Sequence, residues 1–314
     1  MSDSAAQGLY APRYWPTWLA MGVLWLTSRL PQGTAMRLGD AIGALGYRLM
    51  RYRRHIAEVN LRLCFPELGE NERLALLRRH FRYLGRGLIE VGIAWWGSDE
   101  RIRRCGRVEG IEHLDGLQRE GRPVLAVGPH FTALDIGARI VSAHLPVSII
   151  YREHRNPVIE HFMRRSRERH VEQAFDRRDM RALLRALKDG RTVWYPPDQD
   201  FGRRHAVFAP YFGVPAATIT LPARLARQTR AYVVPAFLLA EESGDGYVVH
   251  IGKPLENFPS GDDVADATRI NALMEAEIRR HPAQYYWVHR RFKTRPPGEA
   301  PPYELRRRRR RSKR

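Results

Sequence analysis

Cysteine is nearly missing from this sequence. Cys64 and Cys105 are the two in 314 residues, which excludes a disulfide framework and any cysteine-rich metal spacing and suits a reducing, cytosol-facing location. No Gly-x-Ser-x-Gly elbow occurs, and neither cysteine has a histidine near it in sequence. A covalent acyl or thiol route therefore lacks an obvious nucleophile. A full-length membrane span is missing at the N-terminus as well. The stretch YWPTWLAMGVLWLTS (14–28) has 15 uncharged residues, where a comfortable bilayer span takes about 20. No small-x-small cleavage site follows it, which argues against a signal peptide. Acidic residues are scarce beside basic ones: 34 Asp+Glu against 53 Lys+Arg, a net charge of +19. Eight of the cations lie in the last nine residues, RRRRRRSKR, so the remainder carries +11. Such a field attracts nucleic acid, anionic lipid or an acidic protein without choosing between them.

The short N-terminal stretch holds three of the seven tryptophans between Arg13 and Arg29. That pattern predicts membrane attachment, by a tilted span or by lying in the interface, with a buried core helix as the alternative. The basic run YRLMRYRRH (47–55) puts the body of the protein in the cytoplasm by the positive-inside rule.

Residues 35–62 read as helical and basic on one face. From Glu70 to Trp96 apolar residues recur at Leu74, Leu77, Phe81, Leu84, Leu88 and Val91, the three-four spacing of an amphipathic helix. Beyond residue 105 come short runs rich in valine and isoleucine: PVLAV (123–127), VSIIY (147–151), TVWY (192–195), AYVVPAFLL (231–239) and YVVHI (247–251). Helical stretches such as 181–190 and 262–282 lie between them. Alternation of this kind predicts an α/β fold with a mixed, largely parallel sheet flanked by helices. SGDGY (243–247) reads as a hairpin turn. The expected organisation is a membrane-anchor segment over 1–34, a helical region over 35–104 and an α/β domain over 105–293. A Pro-rich linker with an Arg-rich tail completes it over 294–314.

The chemistry concentrates in LAVGPHFTALDIGARI (125–140). His130 and Asp135 are five apart, a rotation of about 140° on a regular helix, so both in mid-helix would diverge. The spacing works only if His130 precedes the helix, on the turn after the VLAV strand, where α/β sheets place their sites. Asp135 is then expected to fold back onto Nδ1–H of His130, leaving Nε2 as a base. The alternative is a helix-dipole acid beside a capping histidine. A histidine–carboxylate dyad without its own nucleophile suits deprotonation of a substrate hydroxyl.

His130-x4-Asp135 is similar to the H-x4-D/E motif of glycerolipid-type acyltransferases. The chain from Tyr10 to about Tyr303 resembles one branch, the late acyltransferases of lipid A biosynthesis. The resemblance is carried by PRYWPTWL, NLRLCFPEL (60–68), YLGRGLIEVGIAWW (83–96), VWYPPDQDFG (193–202), VFAPYFGVPAAT (207–218) and QYYWVHRRFKTRP (284–296). It implies an inner-membrane enzyme with its site facing the cytoplasm. The implied reaction carries a fatty acyl chain, lauroyl-like, from acyl carrier protein to a hydroxyl of a hydroxyacyl chain on a Kdo-bearing lipid A precursor. His130 would be the base and Asp135 its orienting partner. Arg167 and Asp198 match the family's functional arginine and aspartate. Physically, Arg167 suits a phosphate of the acceptor or the oxyanion of a tetrahedral intermediate. Asp198 and Asp200 follow a strand, and Asp200 reads as structural. Anionic inner-membrane lipids are further expected partners; no cofactor, metal or nucleic acid is. The sequence departs from close relatives at Asp135, where glutamate is usual, and in its arginine tail.

Two rival readings remain at this level. Asp198-x-Asp200 is the metal and sugar-nucleotide pattern of glycosyltransferases, though it leaves His130 without a task. The +19 charge also suits a non-enzymatic membrane or nucleic-acid binder.

Overall fold

The computed structural model describes residues 8–244 and 246–304; the arginine tail lies outside them. The N-terminal part is helical: α1 (Trp15–Thr27), α2 (Gln32–Leu49), α3 (Arg51–Cys64), α4 (Glu70–Trp96) and α5 (Asp99–Cys105). The remainder runs β1 (Gly106–Glu109), α6 (Glu112–Arg119), β2 (Val124–Val127), α7 (Leu134–Ser142), β3 (Ser148–Tyr151), α8 (Pro157–His170), β4 (Ala174–Asp176), α9 (Met180–Lys188) and β5 (Thr192–Tyr195). It continues through β6 (Ala206–Tyr211), β7 (Val214–Ile219), α10 (Leu221–Thr229), β8 (Tyr232–Ala240), β9 (Tyr247–Ile251) and α11 (Asp263–Arg280).

One sheet has the order β1-β9-β8-β2-β5-β3-β4. All its pairings are parallel except β8 with β9, so the expected mixed, largely parallel sheet is what forms. The antiparallel pair is the hairpin expected around residue 245. Strands β6 and β7 make a separate antiparallel pair.

The long helix matches its expected bounds, Glu70–Trp96, and its start is fixed by the Glu72 carboxylate accepting from Gly69 N–H at 2.7 Å. Of the expected apolar stripe Leu77 and Phe81 are buried in the main core, Leu74 and Leu84 pack against it, and Leu88 is exposed, its place being taken by Ile89 and Ile93. The helix expected over 35–62 is instead broken at Met50 (φ −86°, ψ 57°). Beyond the break α3 turns to the C-terminal segment, where Asn60 donates to the Trp287 and His289 carbonyls. Before it, α2 lies so close to α4 that a Cβ on Gly43 or Gly85 would meet backbone at 2.1 and 2.0 Å.

Strands β2, β3 and β4 step one way along the sheet and β5 steps back. Right-handed crossovers therefore put α7 and α8 on one face and α9 on the other. Helices α4 and α1 pack outside α7 and α8, while α9 packs with α10, and α10 with α11. The carboxyl ends of β2, β5, β3 and β4 consequently open on one edge.

Helix α1 has two faces. Met21 and Leu24 are buried in a small cluster with Val158, beside Trp96 and Phe162. Trp15, Leu19, Val23 and Leu26 line the other face, Leu19 at 71% exposure. Among the described residues no helix is long and apolar enough to cross a membrane.

Candidate active site

The parallel pairing of β2 with β5 sets the site. Val127 lies opposite Tyr195, so the chain on each strand, three residues further on, delivers His130 and Asp198 to the same place. The turn between is tight: a Cβ on Gly128 would come 2.0 Å from the Ala236 carbonyl oxygen, so only glycine fits. His130 stands before α7 as expected from its spacing.

Its partner is not the expected one. His130 Nδ1 lies 2.6 Å from Asp198 Oδ1, and His130 backbone N–H donates to Asp198 Oδ2 at 3.0 Å. The contact expected with Asp135 gives way to Asp198 because Asp135, second residue of α7, turns toward α4 and α8. There it takes a hydrogen bond from Trp95 and faces the Arg167 guanidinium; burial raises its carboxyl while these two act against the rise.

Asp198 is 1% exposed. Burial alone would raise its carboxyl, but the His130 charge and two hydrogen bonds from His130 outweigh burial and hold it below the ordinary range. An ionised carboxylate only accepts, so Nδ1 donates to it and Nε2 is the ring nitrogen left facing the site. The Gln199 amide sits 3.4 Å from Nε2, and the Trp194 ring stands edge-on at 6.1 Å. Burial, with the Asp198 charge, raises the phenols of Tyr195 and Tyr211 around it.

Arg167 stacks its guanidinium on the Tyr151 ring at 4.5 Å, and its Nη1 is buried without a hydrogen-bond partner. Burial lowers the guanidinium from its usual range, opposed by Asp135. The same side chains border a cavity of about 270 Å³ between α8 and β4.

Asp200 is structural, as expected. It accepts from Gly202 N–H at 2.8 Å and from Thr294 N–H and hydroxyl at 2.8 and 2.9 Å. Both carboxylates of the Asp-x-Asp pattern are thus engaged by protein donors, which leaves the glycosyltransferase reading without its metal clamp.

Spacing could not reveal the residues that brace these loops. Tyr286 N–H donates to the His130 carbonyl and Thr132 N–H to the Gln284 carbonyl, each within 3.0 Å. The Gln284 amide is itself clamped to both backbone groups of Ala240. His289 Nε2 accepts from Asp200 N–H at 3.2 Å; burial, against the pull of Asp198, lowers its imidazole to about 4 and keeps it neutral. The single sequence signal for them was the block QYYWVHRRFKTRP, which marked the segment without assigning tasks.

Residues 4–294 match the family model described as bacterial lipid A biosynthesis acyltransferase. The chain is 42% identical to the lipid A biosynthesis lauroyltransferase of Escherichia coli (strain K12), covering 92% of this chain and 95% of that protein. It is 39% identical to the palmitoleoyltransferase of the same organism, with 93% and 95% covered. The myristoyltransferase of that organism is 28% identical, with 93% and 91% covered. The chain belongs to the bacterial lipid A biosynthesis acyltransferase family, and it is an acyltransferase.

Proposed function

We propose that this enzyme transfers a lauroyl-like chain from acyl carrier protein to a hydroxyl of a hydroxyacyl chain on a Kdo-bearing lipid A precursor. The observation that carries the reading is the pairing of half-buried His130 with buried Asp198 at the carboxyl edge of the sheet, with Nδ1 held by the carboxylate and Nε2 left beside the Gln199 amide.

The acceptor hydroxyl gives its proton to His130 Nε2 as its oxygen attacks the thioester carbonyl. Asp198 holds the ring and stabilises the imidazolium. Arg167, positioned by Asp135, offers its unpaired nitrogen to an anionic oxygen, of the acceptor's phosphate or of the tetrahedral intermediate. As that intermediate collapses the C–S bond breaks, the C–O bond remains, and His130 returns the proton to the departing thiolate. The thioester is already activated, so the enzyme needs no nucleophile of its own.

The reaction takes place at the cytoplasmic leaflet of the inner membrane. The outer face of α1 lies in the interface, flanked by exposed Arg13 and Arg29, and anionic lipid attracts the cations. Such a helix docks the enzyme on the bilayer without crossing it.

The test is incubation of purified enzyme with a Kdo-bearing lipid A precursor and a panel of acyl carrier protein thioesters, read by mass spectrometry. The expected product is heavier by one acyl chain. No mass gain with any carrier-borne donor would refute the assignment.

A further inference from the structure

Two cationic clusters flank His130 at the carboxyl edge, and they belong to different sides of the sheet. The first is the loop after β3, with exposed Arg152 and Arg155. Asn156 Nδ2 donates to Thr17 Oγ1 of α1 at 2.9 Å, so this loop is tied to the helix bearing the exposed apolar stripe. In the membrane placement proposed above, this is the side from which a bilayer-held lipid approaches His130.

The second cluster lies in the loop after β5, which leads to β6 on the side of α10 and α11. Phe201, Arg203 and Arg204 are exposed there, Phe201 at 45%. Arg290 and Lys293 of the C-terminal segment are exposed beside them, because Asp200 is bonded to both His289 and Thr294. Arg203 donates to the Arg295 carbonyl at 3.0 Å. Among the described residues Arg204 and Arg290 have no carboxylate partner. The one acid in the two stretches 199–205 and 289–295 is Asp200, and it is buried. The result is an exposed apolar side chain in a stretch rich in cations, Phe201 to Arg204 lying three to six residues of chain beyond Asp198. At about 3.5 Å per residue, that places it within roughly 20 Å of His130. A larger basic groove, lined by Arg122, Arg227 and Arg230 against Tyr232, opens at the amino ends of β2 and β8, behind the sheet from His130.

We propose that Phe201, Arg203, Arg204, Arg290 and Lys293 form the docking surface for the acyl carrier protein. The inference rests on the donor assignment above. An acidic carrier is complementary to this patch, and docking here points its thioester at His130 while the α1 side stays open to the lipid. Donor and acceptor thus arrive from opposite sides.

The test uses the full chain, with holo and lauroyl-loaded carrier protein. Wild-type binding to the carrier should weaken as salt rises. R203E/R204E should raise the KM for loaded carrier by about tenfold or more, with kcat changed less than about twofold. R152E/R155E should raise the KM for the lipid instead. F201A should weaken carrier binding without altering its salt dependence. If charge reversal lowers the melting temperature, R204Q/R290Q carries the same comparison, since neither side chain meets a carboxylate. An unchanged KM for carrier in these variants, or an equal rise in R152E/R155E, overturns the surface. A wild type that uses other thioesters but neither binds nor uses the carrier refutes the donor assignment itself, and the surface with it.

Discussion

Replacing Asp198 by asparagine separates the two carboxylates that compete for the role of orienting His130. Asparagine keeps the shape of aspartate but can accept with one terminus and must donate with the other. In the structure both Asp198 oxygens accept, one from His130 Nδ1–H and one from the fixed His130 backbone N–H. The backbone donor cannot move, so the asparagine oxygen stays there and its NH2 faces Nδ1. Nδ1 then becomes an acceptor, the proton goes to Nε2, and the base is lost. The lost charge-assisted bond alone is worth about 1.5–3 kcal/mol. With the wrong tautomer added, turnover should fall about 10²–10⁴-fold, the usual scale for a disabled general base. Asp135→Asn leaves the His130 tautomer intact and acts through Arg167, so its loss should be smaller and should include a higher KM for the lipid. Initial rates with loaded carrier and lipid precursor, with melting curves as a folding control, measure both. An Asp198→Asn enzyme more active than Asp135→Asn would refute the pairing.

Two further outcomes follow from burial and charge. Burial raises the Glu90 carboxyl to about 7, against the Tyr247 hydrogen bond and the Arg86 charge. The unfolded chain releases this proton near pH 4.3, so wild-type stability falls as pH rises from there through about 7. Glu90→Gln removes that slope, and its advantage in denaturant melts should grow from pH 5 to pH 8, to on the order of 3 kcal/mol; an advantage independent of pH would contradict it. Leu19→Ser with Val23→Ser, both on the outer face of α1, should weaken binding to vesicles containing anionic lipid roughly tenfold or more while leaving the melting temperature nearly unchanged; unaltered vesicle binding would place the membrane contact elsewhere.

The α/β architecture was readable wherever a short run of apolar residues declares a buried strand, as in β2, β5 and β8. Strands β1 and β4 were not, because GRVE and AFD are short and half polar and acquire their strand identity from their neighbours. The hairpin of β6 and β7 was visible only as a family block, since two prolines interrupt its alternation. His130 was legible through its five-residue spacing to Asp135, which demanded a strand–turn–helix context. Its true partner was not, because the link between His130 and Asp198 is made by strand register across 68 residues of chain. Sequence proximity favoured Asp135, whereas helix geometry turned it to Trp95 and Arg167.

The most direct test of the account is the rate of acyl transfer by His130→Ala, with lauroyl-loaded carrier and the Kdo-bearing lipid precursor both saturating. A fall of about 10²–10⁴-fold with fold and vesicle binding intact is what the account predicts; a rate within about twofold of wild type would contradict it.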